Sequence, residues 1–173
     1  MSNLITKNLI RFIGLALLQL VILKDVDISW TNFKFIHLIV YPLAILLLPI
    51  RTPRGLVILI GFALGFFVDI FYDSLGVHAA ATVMMAFSRK IVLGFLEPYG
   101  GYALDQIPTL KNMGFYWFFI YSGTLLAIHF VFYFSMEAFS FVFFFQILMN
   151  TIFSLIFSLL LLFLIQLIFN SKT

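Results

Sequence analysis

A carboxylate on a stripe of glycines is the feature of this sequence that most resembles a functional site. Gly61, Gly65 and Asp69 recur at every fourth residue of an apolar stretch, so they share one face of a helix. Small residues on that face allow a second helix to approach closely. Asp69 would then be hidden from lipid, where a charged side chain costs about 2.5–3.5 kcal/mol at mid-bilayer. Asp69 could bind an ion or ligand, but we favour a hydrogen bond inside the bundle, with His78 or His129 as partner.

If that hydrogen bond is the whole role of Asp69, an isosteric asparagine should leave the protein stable. Asp73 lies one turn further along the sequence. It is expected to cap the end of the same helix or to reach water, because it falls at the predicted membrane interface.

Other polar side chains lie inside later apolar stretches. His129 could relay protons only if acidic partners lined a path, so a neutral histidine bonded between helices is the preferred interpretation. Asn150, Ser154 and Ser158 share one face of a predicted helix. They are interpreted as interhelical hydrogen bonds, worth about 0.6 kcal/mol each on average.

The remaining motifs give no support to enzyme chemistry. The chain has no cysteine, and its three histidines lack the spacing of metal ligands. It contains no phosphate-binding loop, no HExxH, no G-x-S-x-G and no paired catalytic carboxylates. The sequence therefore predicts a non-enzymatic protein with no catalytic residues, no metal and no cofactor.

Composition places these residues in a membrane. Of the 173 residues 64% are hydrophobic and 10% are charged, and the mean hydropathy is +1.16. A soluble domain carries about 25% charged residues. Too little polar surface is available to cover a water-soluble globule, so the sequence predicts an integral membrane protein. The isoelectric point near 9.3 comes without the basic face that nucleic-acid binding would require.

The apolar stretches predict an all-α bundle of six transmembrane helices that forms one domain over 1–173. The second predicted helix is short for a hydrocarbon core of about 30 Å and contains Pro42 and Pro49. The fourth ends at Arg89 and Lys90, which are expected to snorkel to the headgroups. The six predicted spans are 8–23, 35–50, 55–71, 76–96, 115–134 and 142–169.

Basic residues predict the orientation. Eight of the ten fall on the side that would also hold both termini, and only Lys24 and Lys34 fall on the other side. Because cytoplasmic loops are enriched in Lys and Arg, we expect a multi-pass protein of the bacterial cytoplasmic (inner) membrane with both termini in the cytoplasm. The eight are Lys7, Arg11, Arg51, Arg54, Arg89, Lys90, Lys111 and Lys172.

One combination of motifs resembles a known family. Gly61-x-x-x-Gly65-x-x-x-Asp69 is followed by Gly76, which opens a helix of small residues, in a predicted six-span chain. This combination resembles the bacterial rod shape-determining MreD family. The segments 97–101 (Glu-Pro-Tyr-Gly-Gly) and 108–109 (Pro-Thr) resemble its Bacteroidetes branch. Span number and loop pattern extend the similarity over nearly the whole chain, and its specific part covers about 55–124.

The resemblance implies a non-enzymatic membrane scaffold of the machinery that organises peptidoglycan synthesis during cell elongation. It implies an MreC-like membrane protein as partner and, through the complex, an MreB-like filament and a RodA-type synthase. It also implies a fold similar to the substrate-binding S components of energy-coupling-factor vitamin transporters. The family motif maps onto Gly61, Gly65, Asp69 and Gly76, which would pack helices or form a partner interface.

An S component of a vitamin transporter is the alternative function. Such proteins seat a polar ligand near the outer face and dock through small residues of the first helix. Here the first helix has only Gly14 and Ala16, without an Ala-x-x-x-Ala spacing. The sequence therefore favours the scaffold.

Overall fold

The computed structural model describes residues 11–24, 28–30, 33–103, 106–139 and 143–170. The described chain is mostly helical, with one short antiparallel ribbon formed by two strands. The second half of the first helix, Leu18–Leu23, is π-helical. The elements are α1 (Arg11–Leu23), β1 (Ile28–Trp30), β2 (Phe33–Ile36), α2 (Leu43–Leu46), α3 (Arg54–Tyr72), α4 (Val77–Phe95), α5 (Leu110–Met113), α6 (Phe115–Ala138) and α7 (Phe144–Asn170).

Three helices are long and apolar enough to cross a membrane, namely α3, α6 and the part Phe144–Ile168 of α7. This agrees with the membrane protein that the composition predicts. The predicted spans 55–71, 76–96, 115–134 and 142–169 overlap the helices α3, α4, α6 and α7, and residue 142 lies outside the described residues. The span 8–23 corresponds to α1 from Arg11 onward, and its first three residues lie outside the described residues.

The prediction of a helix over 35–50 is wrong. Residues 33–36 are strand β2, and residues 37–40 have no regular structure. Between residues 41 and 50 the only helix is the single turn α2. Proline has no N–H to give to a helix and its ring clashes with the preceding turn. Pro42 precedes α2 and Pro49 follows it, so the apolar composition of this stretch does not produce a continuous helix.

Residues 37–50, the core segment, lie in the interior of the bundle. Every residue from 39 to 48 is buried. Around it α3 packs against α4, α4 against α6, and α6 against α7, while β2 lies against α7. The centre of this fold is therefore an irregular stretch of backbone surrounded by helices.

The core segment runs along α4. Tyr41 bonds to His78 and Thr82 near the start of α4, whereas Leu48 bonds to Arg89, about 16 Å further along at the helical rise. Residues 41–48 therefore lie beside about three turns of α4.

Two serines of α7 accept hydrogen bonds from the backbone of the core segment. Ser154 Oγ accepts from His37 N at 2.9 Å, and Ser158 Oγ accepts from Ile39 N at 3.1 Å. Ser158 Oγ also donates to His37 O at 3.4 Å. The sequence predicts that these serines bond helix to helix. Their partners are instead main-chain groups that have no neighbouring strand or helical turn to pair with.

The side chain of Gln19, in α1, pairs main-chain groups of Leu38 and Val40 in the core segment. Its Oε1 accepts from Val40 N at 2.8 Å, and its Nε2 donates to Leu38 O at 3.0 Å and to Tyr72 OH at 2.8 Å. An amide side chain has both an acceptor and donors. Gln19 therefore pairs an N–H and a carbonyl of the core segment and links them to the end of α3.

The side chains of Arg89 and Tyr121 pair main-chain carbonyls near the carboxyl-terminal end of the core segment. Arg89 Nη2 donates to Leu48 O and, at 3.4 Å, to Pro49 O, and its Nε donates to Tyr121 OH at 2.8 Å. Tyr121 OH donates to Leu46 O at 3.0 Å.

The expectation that Arg89 snorkels is wrong. Its side chain is only 3% exposed, because unpaired carbonyls of the core segment need its donors.

Replacing Ser158 by alanine should destabilise the protein. Ile39 N would lose its acceptor, and a buried donor left unpaired costs about 1–3 kcal/mol. Ser135→Ala is the matched control, because Ser135 is exposed and its hydroxyl donates only within its own helix, to Val131 O. Unfolding of the two purified variants in the same detergent measures the difference. Equal unfolding midpoints would contradict this role of Ser158.

Candidate functional site

The glycine stripe lies at the contact between α3 and α4. A Cβ added to Gly65 would lie 2.6 Å from Ala79 Cα and 2.7 Å from His78 O, and one added to Gly61 would lie 3.1 Å from Ala86 Cβ. The distances at Gly65 are shorter than those real Cβ atoms make with backbone. The close approach expected from the four-residue spacing is therefore present, and it is made within this chain.

Asp69 caps the amino-terminal end of α4. The side chain is 4% exposed. Its Oδ1 accepts from Ser74 Oγ and, at 2.9 Å, from His78 N, and its Oδ2 accepts from Ala79 N at 2.9 Å. The first N–H groups of a helix lack partners within the helix and carry a partial positive charge. A carboxylate from α3 supplies both the acceptors and the opposite charge.

The partner of Asp69 is thus His78, as the sequence analysis allows, but through its main-chain N–H. His129 does not contact the carboxylate; its described hydrogen bond goes to Tyr41. Because both carboxylate oxygens are occupied by donors of the same chain, the geometry assigns Asp69 to the connection of α3 with α4.

The turn between the two helices uses left-handed backbone. Asp73 ends α3 with φ 51°, and Gly76 precedes α4 with φ 83°. Glycine adopts such angles without a steric penalty. Asp73 is exposed and its N–H donates to Asp69 O, so it lies at the end of the helix, as expected. This tight turn brings the start of α4 back onto the Asp69 carboxylate.

A second polar cluster surrounds the hydroxyl of Tyr41. Tyr41 OH lies 3.1 Å from His78 Nδ1, 3.3 Å from His129 Nε2 and 3.0 Å from Thr82 Oγ1. Thr82 donates its own proton to His78 O at 2.7 Å, so its oxygen accepts from Tyr41. Both imidazoles then lie within hydrogen-bond distance of the remaining lone pairs of the tyrosine oxygen. This network joins the core segment to α4 and α6.

All three histidines lie around one aromatic ring, although their spacing in the sequence gives no sign of it. The ring centroid of Tyr133 lies 4.8 Å from that of His78, 6.0 Å from that of His37 and 6.4 Å from that of His129. In the described part of the chain no group of three His, Asp or Glu side chains has the geometry to hold a metal ion. The histidines pack with aromatic rings.

The polar residues of α7 do not form one continuous site. Ser154 and Ser158 bond to the core segment. Asn150 and Thr151 are also buried, but the Asn150 Oδ1 and Thr151 Oγ1 atoms have no hydrogen-bond partner among the described residues. Of the predicted seam of Asn150, Ser154 and Ser158, the two serines therefore order the core segment, whereas the Asn150 oxygen has no partner among the described residues.

The carbonyls at the carboxyl-terminal end of α4 are paired by one side chain of the loop that follows and by one side chain of α6. Tyr102 OH donates to Leu93 O at 2.8 Å, and Trp117 Nε1 donates to Leu96 O at 2.8 Å. Burial raises the pKa of Tyr102 to about 12. Both ends of α4 are thus fixed by side chains from other parts of the chain, at one end by a carboxylate and at the other by hydroxyl and indole donors.

Asp69→Asn should lower stability, contrary to the expectation from sequence alone. Asparagine keeps one acceptor but turns an N–H₂ donor toward a backbone N–H, so either Ala79 N or the pair Ser74 Oγ and His78 N loses its acceptor. The free energy of unfolding should fall by about 1–3 kcal/mol. Asp73→Asn makes the same chemical change at an exposed residue. This control variant should unfold like the unmodified protein. Both are compared by thermal unfolding in detergent, and an unchanged midpoint for Asp69→Asn would show that one acceptor suffices.

Comparisons of the chain with models of protein families, with curated proteins and with solved structures give no match in any of the three.

Proposed function

We propose that this protein is a non-enzymatic membrane scaffold of the bacterial cell-elongation complex, of the kind represented by the MreD family. The proposal starts from the sequence motif of Gly61, Gly65, Asp69 and Gly76. It includes an inner-membrane location, six crossings with the core segment as the second, and both termini in the cytoplasm.

The observation that carries the proposal is the use made of the buried polar side chains. Asp69 is occupied by three donors of its own bundle, and Gln19 and Arg89 are occupied by the core segment. A charged or polar group in a membrane is costly and is by default a candidate for function. Here these groups hold the helices in a fixed arrangement, which is what a scaffold requires of its interior.

The outer surface supports the same proposal. Large apolar side chains of α3 point outward, including Leu59, Phe62, Phe66 and Ile70. The outward face of α7 is similarly apolar. Such faces suit lipid or the transmembrane helix of a bitopic partner. Because Gly61 and Gly65 are covered by α4, an MreC-like helix would bind to one of these outer faces and not to the glycine stripe.

The alternative, an S component, would dock through small residues on α1. Ala16 is buried, and Gly14 is exposed with open space around it. A single exposed glycine is a weaker docking feature than a repeated small-residue stripe. The scaffold therefore remains the better supported function, and vitamin binding is an outcome of the test.

Depletion of the protein in its rod-shaped host should make the cells round, and the affinity-tagged protein should co-purify with an MreC-like membrane protein. Complementation shows whether the close contact between α3 and α4 is needed for that function. Gly65→Leu should fail to restore rods, because its side chain would meet the Ala79 backbone. Gly94→Leu should restore them, because Gly94 has open space around it.

Rods of normal shape after depletion, together with no MreC-like protein in the purified material, would contradict the scaffold. Saturable binding of a vitamin to the purified protein would favour the S component.

A further inference from the structure

A cavity of about 200 Å³ opens between the start of α3 and the last part of α4. It lies beside the turn that follows the core segment. Four cationic side chains line it, and none of the described residues that line it is acidic. The four are Arg51, Arg54, Arg89 and Lys90.

Two of these cations are held in place by the fold. Arg89 is buried and bonded to Leu48 O and Tyr121 OH. The Arg54 guanidinium lies 3.8 Å from the centroid of the Phe87 ring, and its Nη2 donates to Phe87 O at 3.4 Å. Their positive charges are therefore fixed at the cavity. An anion that binds there does not have to order the side chains of Arg54 and Arg89.

Arg54 also has an unused donor. Its Nε is buried and has no hydrogen-bond partner among the described residues. A buried donor without a partner is costly, and an arginine offers a planar set of donors that matches phosphate oxygens. Arg54 is in addition the first residue of α3, whose amino-terminal end has no side-chain cap and favours negative charge.

Arg51 and Lys90 complete the cavity from its exposed side. They are free to close on a ligand that enters from the membrane surface or from water. The volume is below the roughly 300–1,000 Å³ of pockets that enclose drug-sized ligands. It suits a small, highly charged group.

We propose that this cavity binds the phosphate group of an anionic ligand. Basic pockets between membrane helices on the cytoplasmic side bind lipid headgroups, and a soluble phosphate would meet the same donors. The inference is independent of the scaffold function, because it depends only on the cavity and its cations.

The test uses the full-length protein in nanodiscs and in a neutral detergent. Native mass spectrometry should show phosphatidylglycerol retained on the protein in preference to phosphatidylcholine. Each exposed cation near an anionic surface contributes about fivefold in affinity, so the double variant Arg51→Gln, Lys90→Gln should bind about 25-fold more weakly. Both residues are exposed, so this variant should fold normally.

Lys24→Gln is the matched control, because it removes one positive charge from a different part of the chain, where Lys24 donates to Phe71 O. It should retain phosphatidylglycerol as the unmodified protein does. Arg54→Lys is the second variant. It keeps the charge but removes the unpaired Nε donor, and it should also weaken retention.

Inorganic phosphate, added to protein in phosphatidylcholine nanodiscs, separates the two sources. Thermal stabilisation by phosphate that is lost in the double variant would assign the site to a soluble phosphate. Retention of phosphatidylglycerol without that stabilisation would assign it to a lipid headgroup. The proposal is overturned if phosphatidylglycerol is retained no better than phosphatidylcholine and inorganic phosphate gives no thermal stabilisation. It is also overturned if Lys24→Gln loses binding as much as the double variant does.

Discussion

Pairing of buried main-chain groups is the constraint on which this structure depends. An N–H or C=O within the hydrocarbon region must find a partner in the protein, which is why membrane proteins normally cross as helices or closed barrels. Within the described residues 37–50 the only regular element is the single turn α2, yet residues 39–48 are buried. Local turns pair the N–H groups of residues 43–48, and side chains of α1, α4, α6 and α7 pair main-chain groups that these turns leave over. That requirement explains why Gln19, Arg89, Tyr121, Ser154 and Ser158 lie inside an apolar bundle.

The joint between α3 and α4 gives these side chains a fixed frame. Close approach at Gly65 places the start of α4 beside α3, and Asp69 then pairs the first N–H groups of α4. From that fixed start α4 presents His78 and Thr82 to Tyr41 and, about two turns beyond Thr82, Arg89 to Leu48. A shift of α4 along its axis would therefore break several hydrogen bonds together. The glycine–aspartate motif is thus an internal determinant of the fold.

The sequence predicts the long helices well because each is a long apolar run between clear breaks. It also predicts the close contact at Gly61 and Gly65, since four-residue spacing places both on one face. It does not predict the core segment. The apolar run over 35–50 is compatible with a helix, and only Pro42 and Pro49 argue against one. The partners that make an irregular backbone acceptable come from distant positions such as Gln19 and Ser158, and no local pattern links them to it. The expectation that Arg89 lies at the headgroups fails for the same reason, because its partners Leu48 and Tyr121 lie far away in the sequence.

Hydrogen exchange of the backbone amides of residues 37–48, measured by mass spectrometry on the protein in nanodiscs, tests the central claim most directly. Exchange reports how often a main-chain N–H opens to water, whatever its secondary structure. Side chains pair the amides of His37, Ile39 and Val40, and local turns pair those of residues 43–48. If the core segment is buried and paired in this way, its peptides should exchange as slowly as those of α4 and α6 and far more slowly than residues 97–103 of the exposed loop. Exchange of residues 37–48 as fast as that loop would contradict the account.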